Sequence, residues 1–260
     1  MERSNYEVIT DDHVGFRKFT QARIALGRTG CSIPLKEMLA FRLSHAHAKD
    51  AVFSELDPHI QIRLNDFELG TLSLESRVRD KQTYLQRPDL GRELDQMSMI
   101  TLNRFAADEY DVAIVITDGL SAIAVNRHII PLMEALIPEM KMMGLQIAPL
   151  CLVTHGRVAV ADEVGECLRA KLTLILIGER PGLSSSDSLG AYLTYSPRKG
   201  LTDESRNCIS NIRKEGLSYG AAAEKILYLM NEALTRKVSG VDLKDHSMLI
   251  SGQERIGDEI

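Results

Sequence analysis

Apolar positions along the second half of the chain fall into short unbroken runs separated by longer periodic stretches. Val112–Thr117 (VAIVIT) is β-branched and apolar on both faces, and Ala148–Thr154 (APLCLVT) and Leu172–Ile177 (LTLILI) are further apolar runs of the same type. Strands covered by helices on both sides carry that pattern. Between them, Leu120–Met143 and Asp162–Ala170 show helical spacing. The repeat of about 25 to 35 residues is that of βαβ units, which build a parallel sheet through right-handed crossovers. Pro131 and Pro138 predict that the first crossover is divided into two or three helical pieces. Ser218–Val238 is an amphipathic helix with Gly240 as its stop, followed by a loose tail from about Asp245.

The first half reads differently. Phe16 to Leu26 places apolar residues at 16, 19, 22, 24 and 26, predicting a helix that stops at Gly27, and Ser32-Ile33-Pro34-Leu35 opens another through about Ala48. Asp57–Arg79 sustains no helical period, although Thr71-Leu72-Ser73-Leu74 alternates as a short strand would. A further helical pattern covers about Gly91–Ala106, and the composition shifts at Asp108-Glu109-Tyr110-Asp111. The expected fold class is α/β: a Rossmann-like, mostly parallel sheet with helices on both faces over residues 108–260, preceded by a mainly helical N-terminal domain over 1–107.

Composition narrows the function. The 260 residues are 44% hydrophobic and 26% charged, with no Trp and only 5% aromatic residues, and the formal charge is −5. Nucleic-acid binding needs clustered Lys and Arg to neutralise phosphates, and no such cluster is present. MERSNYEVITDD lacks the apolar core of a secretory signal, and no apolar run approaches the roughly 18 to 20 residues of a membrane span. A cytoplasmic protein bound to neither nucleic acid nor membrane is expected. Cys31, Cys151, Cys167 and Cys208 have no metal-binding or disulfide spacing, so reduced thiols are expected.

Ligands of open parallel sheets bind beyond the carboxyl ends of the strands. Three loops must share that edge: Asp118-Gly119, His155-Gly156-Arg157 and Gly178-Glu179-Arg180-Pro181-Gly182. Each joins a glycine to an ionisable side chain. The loop after the first strand lacks G-x-G-x-x-G, and Gly178-x-x-x-Gly182 lacks the Gly-Lys-Ser/Thr ending of a phosphate loop, which disfavours an ordinary dinucleotide or triphosphate. His45 and His47 would point roughly 200° apart on a helix and cannot chelate one ion. Asp118, Asp162 and Asp187 read as capping carboxylates, and no G-x-S-x-G elbow is present. Any hard chemistry therefore belongs to a cofactor or another subunit.

Several long motifs carry a resemblance. "DVAIVITDGLSAIAVNRH", "HGRVAVADEVGE", "LILIGERPGLSSSDSLGAYLTYSPR" and "DESRNCISNIRKEGLSY", with "FTQARIALGRTGCSIPLKEML" and "RPDLGREL" before them, resemble in order and spacing the small (light) subunit of ethanolamine ammonia-lyase. The resemblance spans about residues 16 to 245. It implies an adenosylcobalamin-dependent lyase that converts ethanolamine to acetaldehyde and ammonia by a radical route. A large barrel subunit carries the substrate, and the small subunit closes over the cobalamin, in a hetero-oligomer of six copies each. Many members work inside a bacterial microcompartment, some by way of an extended amino terminus. About 15 residues precede the first matching motif here, so a short or missing encapsulation signal is expected.

Carried over by motif, the cobalamin contacts fall on Val158 in HGRVAV, Glu179 in GERPG and Cys208 in RNCISN, and no residue is assigned to catalysis or to a metal. Arg157, Arg180 and Arg206 flank them as contacts of second rank or as subunit-interface residues. Asp11-Asp12-His13-Val14-Gly15-Phe16 resembles the D-x-H-x-x-G of histidine-ligated cobalamin, but Phe16 stands where the glycine belongs. The alternative function is a stand-alone Rossmann-like module for another small molecule or nucleotide.

Overall fold

Six strands hydrogen-bond into one sheet in the order 1-3-2-4-5-6 along the chain numbering, and helices pack on both of its faces. The computed structural model describes residues 7–106 and 110–245. In chain order the elements are α1 (Leu35–Val52), α2 (Ile60–Asn65), β1 (Thr71–Glu75), α3 (Lys81–Gln86), α4 (Gln96–Asn103), β2 (Val112–Thr117), α5 (Ala122–Met142), β3 (Leu150–Thr154), α6 (Val160–Leu168), β4 (Leu172–Gly178), β5 (Leu189–Tyr195), β6 (Arg206–Ile212) and α7 (Tyr219–Arg236). The expected boundary at residues 107 and 108 lies outside the described residues, as does the tail beyond Asp245.

The apolar runs form the centre of the sheet. β2 pairs in parallel with β3 on one side and β4 on the other, and every residue of β2 and β4 is buried. Successive side chains leave opposite faces. Ile114, Ile116, Leu174 and Leu176 therefore meet α5 and α7, while Val115, Val153 and Ile175 meet α6 and α4. The alternating stretch near residue 71 is a strand, and it joins this same sheet, with Leu74 opposite Val153 in parallel register. β5 and β6 continue the other side antiparallel.

Three expectations are corrected. Pro131 and Pro138 do not divide the first crossover, because α5 runs unbroken through both. The carbonyls that lose an amide partner belong to Arg127 and Glu134, four residues back. Both residues are exposed, so water satisfies those oxygens, while Leu132, Met133, Leu136, Ile137 and Met140 anchor the inner face. No helix covers Phe16–Leu26. A short 3-10 turn over Val14–Phe19 buries nothing, and the chain then runs irregularly, with Phe16, Phe19 and Ile24 exposed instead of covering a core among the described residues. The single pattern over 91–106 breaks into a 3-10 turn at Leu90–Arg92 and α4, which Asp95 caps by accepting from Ser98 N.

Candidate functional site

The chain leaves β2 for β3 on one side, then recrosses to β4 on the other. Loops after β2 and β4 therefore part at a topological switch point. Gly178 ends β4 there with no room for a side chain, since a Cβ would collide with the carbonyl oxygens of Asp118 and Ser121. Gly119 takes φ +56° for the reciprocal approach, and Leu120 N donates to Gly178 O at 2.9 Å. Asp118 is no cap: its Oδ1 accepts from His155 N at 2.7 Å, while Thr117 Oγ1 accepts from Gly156 N at 2.9 Å. The three nominated loops are thus bonded to one another.

A cleft of about 420 Å³ opens between them, lined by Tyr84, Leu120, Arg157, Val158, Ile177, Gly178, Glu179, Arg180 and Tyr192. Val158 and Glu179 fall together in this wall. One Glu179 oxygen, Oε2, accepts from Ser188 Oγ and from Asn211 N at 3.2 Å, which fixes the carboxylate. Cys208 does not line the cleft. It lies directly opposite Tyr192 on the edge strand β6 and is exposed. Partial loss of water around the sulfur pushes the Cys208 pKa up, with Tyr192 opposing and the Glu179 charge adding to it. It is a protonated neighbour of the cleft rather than a nucleophile.

The other wall comes from the first half of the chain, which sequence reasoning did not connect with the site. Ser76 Oγ donates to His155 O at 3.0 Å, Arg157 N donates to Gly91 O at 2.7 Å, and Leu94 N donates to Glu163 Oε2 at 2.7 Å. These bonds clamp residues 76–94 over the loop after β3. Tyr84 is fully buried there, its hydroxyl donating to Gly156 O at 3.2 Å, with Arg157 at 4.0 Å and Lys81 at 4.9 Å from its ring centre. Two cations over one aromatic ring hold the wall together. Burial lowers the Lys81 pKa, and Asp118 opposes it. A local signal for this wall existed: Asp80 accepts from Thr83 N at 2.8 Å, the N-cap of α3. For Tyr192 the one signal was a partly obscured alternation of Leu189, Ala191 and Leu193 on β5.

Of the three arginines, Arg157 and Arg180 line the cleft and Arg206 does not. Arg206 is internal, bidentate to Asp162 at 2.6 and 2.7 Å, with both side chains 2% exposed. It can touch neither a ligand nor a subunit, and Asp162 is its counter-ion instead of a cap. Asp187 likewise pairs, with Arg127 at 2.8 Å and His128 Nε2 at 3.5 Å. The serine loop is stitched down by these and by Ser121 Oγ on Ser186 O and Arg213 Nη1 on Ser184 O. His45 and His47 are exposed on α1 and do not line the cleft.

The lining presents apolar and aromatic walls, two guanidinium groups and one carboxylate, with no nucleophile beside a base. Arg157 Nε is buried without a hydrogen-bond partner. Such a lining binds and orients. No helix among the described residues is long and apolar enough to cross a membrane.

Comparison with known proteins yields one family. The profile of the ethanolamine ammonia-lyase light chain matches residues 10–244. A protein of Azotobacter vinelandii named ethanolamine ammonia-lyase small subunit is 54% identical over 235 residues, 89% of this chain and 87% of its own. Proteins of the same name from Ralstonia nicotianae and Pseudomonas aeruginosa are each 55% identical, over 233 and 236 residues, covering 88% and 89% of this chain and 86% of theirs.

Proposed function

The chain belongs to the ethanolamine ammonia-lyase light chain family, and on that premise we propose that it is the small subunit of an adenosylcobalamin-dependent lyase turning ethanolamine into acetaldehyde and ammonia. The name small subunit implies a large-subunit partner. In this reading the large subunit carries the substrate and most catalytic groups, in an assembly of six copies of each chain. Such assemblies can work in the cytoplasm or inside a bacterial microcompartment. The Rossmann-like sheet supplies one wall of the cofactor site.

The carrying observation is the cleft at the switch point, and its chemistry fits the cofactor. A corrin is an apolar macrocycle rimmed with amides, larger than 420 Å³. This chain can therefore wall one side of it and not enclose it, which leaves a partner to complete the site. Val158, Leu120 and Tyr192 offer apolar contact. Glu179 Oε1 is available to accept from amide N–H groups, since Oε2 is the oxygen engaged by Ser188 and Asn211. The orphaned Arg157 Nε is a donor of the kind an amide carbonyl satisfies. Cys208, exposed beside Tyr192 on the edge strand, would add a contact outside the cleft. When bound, the cofactor supplies radical chemistry through homolysis of its cobalt–carbon bond. The residues here hold it, orient it and keep water from one face.

The test is reconstitution. The chain alone is expected to be inactive and to gain activity with large subunit, ethanolamine and adenosylcobalamin; activity of the isolated chain would sink this division of labour. Glu179→Ala is expected to lower cobalamin retention in the assembled enzyme by about tenfold or more, the worth of one or two charge-assisted hydrogen bonds. His59→Ala, at an exposed residue outside the cleft lining, is the control, and equal behaviour of the two variants refutes the site. Tight binding of NAD with no partner would favour the stand-alone module.

A further inference from the structure

The amino-terminal arm carries the wrong face outward for a free chain. Among the described residues, thirteen of the twenty-one exposed large apolar side chains lie between Val8 and Phe53. Helix α1 shows the inversion most clearly. Leu35, Leu39 and Leu43 repeat every fourth residue, so they share one face, and they are 63%, 53% and 59% exposed. The opposite face, toward the body, holds Glu37, Ser44, Ala48 and Ala51, and Ala51 is the one residue of α1 that is buried. A surface helix normally turns its apolar stripe to its own core.

The arm is one layer. Arg17 pairs with Glu37 at 3.3 Å, and Arg23 donates to Ser44 Oγ at 2.6 Å while sitting over the Phe41 ring. At roughly 150 Å² for each large side chain and about half of it open, thirteen of them leave on the order of 1,000 Å² of apolar surface. Monomers rarely expose patches beyond about 300 to 600 Å². A standard interface takes about 800 Å² from each partner.

The arm also leaves the body at the edge that holds the cleft. Ile123 N donates to Ser54 Oγ at 3.1 Å, Asp57 N donates to Asn126 Oδ1 and Asn126 Nδ2 donates to Glu55 O, both at 2.9 Å, all at the start of α5, just after Leu120 of the cleft. Arg23 Nη2 reaches Leu183 O in the serine loop at 3.5 Å. We infer that the outward face of residues 8–53, centred on Leu35, Leu39 and Leu43, is the surface by which this chain docks on the large subunit. This rests on the proposed function, because the body that closes the cleft mouth is then the body nearest the arm. The arm adds an apolar grip beside a cleft too small to hold the partners together.

The full-length chain with Leu39→Asp and Leu43→Asp is titrated against large subunit and followed by sedimentation velocity. The variant is expected to keep its circular dichroism and unfolding midpoint, because both leucines point to water, and to bind at least about a hundredfold more weakly than wild type. Ile62→Asp, an exposed apolar position on α2, is expected to bind as wild type. Independently of any variant, hydroxyl-radical footprinting of the wild-type chain should show Leu39, Phe41 and Leu43 protected on assembly. Unchanged affinity of the double variant, or unchanged labelling, overturns the inference alone. So does a double variant that dissociates a self-dimer while still binding the large subunit. Failure of the wild-type chain to bind large subunit at all overturns the proposed function, and this inference with it.

Discussion

Asp162→Asn isolates the pair that ties the outer strand β6 to the sheet's α6 face. Arg206 and Asp162 are each 2% exposed, and two hydrogen bonds of 2.6 and 2.7 Å join them. Without the carboxylate charge, the guanidinium keeps neutral acceptors at Thr194 Oγ1 and Leu201 O, and Asp203 at 3.5 Å from Nε, whose own side chain is 93% exposed. Breaking such a pair from one side costs about 3 to 5 kcal/mol, because a buried charge loses its partner. Asparagine keeps one acceptor and Asp203 remains, so the lower end, about 3 kcal/mol, applies. For a chain of this size that lowers the unfolding midpoint by roughly 6 to 12 °C. Differential scanning calorimetry of the purified chain measures it. The double variant Asp162→Leu with Arg206→Met should recover to within about 1 kcal/mol of wild type, since charge and partner leave together. A shift below about 2 °C for Asp162→Asn, or a double variant no better than the single one, would refute the assignment of this pair. Val158 lies two residues before α6 and Cys208 two beyond Arg206, so cobalamin retention should fall alongside stability.

Two further predictions concern α5. His128 is buried against Tyr219 at 2.9 Å and Asp187, and burial lowers its pKa against the pull of Asp187. The unfolded chain protonates this histidine first, near about pH 6.5. Its stabilisation is therefore complete above that pH and is lost as pH falls toward the lower folded value. Unfolding midpoints of wild type should decline from pH 7.5 to 5.5 more steeply than those of His128→Gln, and equal slopes would rule out the histidine as the source. Pro138→Ala restores an amide to the exposed Glu134 carbonyl. An interior proline costs a helix about 3 kcal/mol, and the freer unfolded chain returns about 1. Stabilisation of about 2 kcal/mol is expected by urea denaturation, and a destabilised variant would mean that the ring itself packs the helix.

Much of the second half was legible because buried parallel strands have no polar side to disguise them. Val112–Thr117 matched its strand end to end, and Leu172–Ile177 fell short by only Gly178. From those strands the ligand edge followed by topology alone, and with it the loops bearing Val158 and Glu179. The proposal that these residues contact cobalamin rests on the family resemblance. The antiparallel strands β5 and β6 were not anticipated. The polar loop before β5 and the bulge between its pairings with β6 obscure an alternation that is present in Leu189, Ala191 and Leu193.

What the sequence by itself determined is the local rhythm: which segments must be covered on both faces, which stretch after Ser218 is an amphipathic helix, and which loops end at the same edge. Short-range periodicity is enough for that, because burial on one or two faces writes itself into neighbouring residues. Only the tertiary structure decided that Tyr84 walls the cleft, that Lys81 bonds to the loop after β2, that Arg206 is spent on Asp162, that two prolines sit in an unbroken helix, and that the leucines of α1 face away from their own core. Each of these depends on a partner 37 or more residues away or on the side of a helix left open to water. A periodic pattern specifies that a face is apolar, and says nothing of whether the surface meant to cover it lies on the same chain.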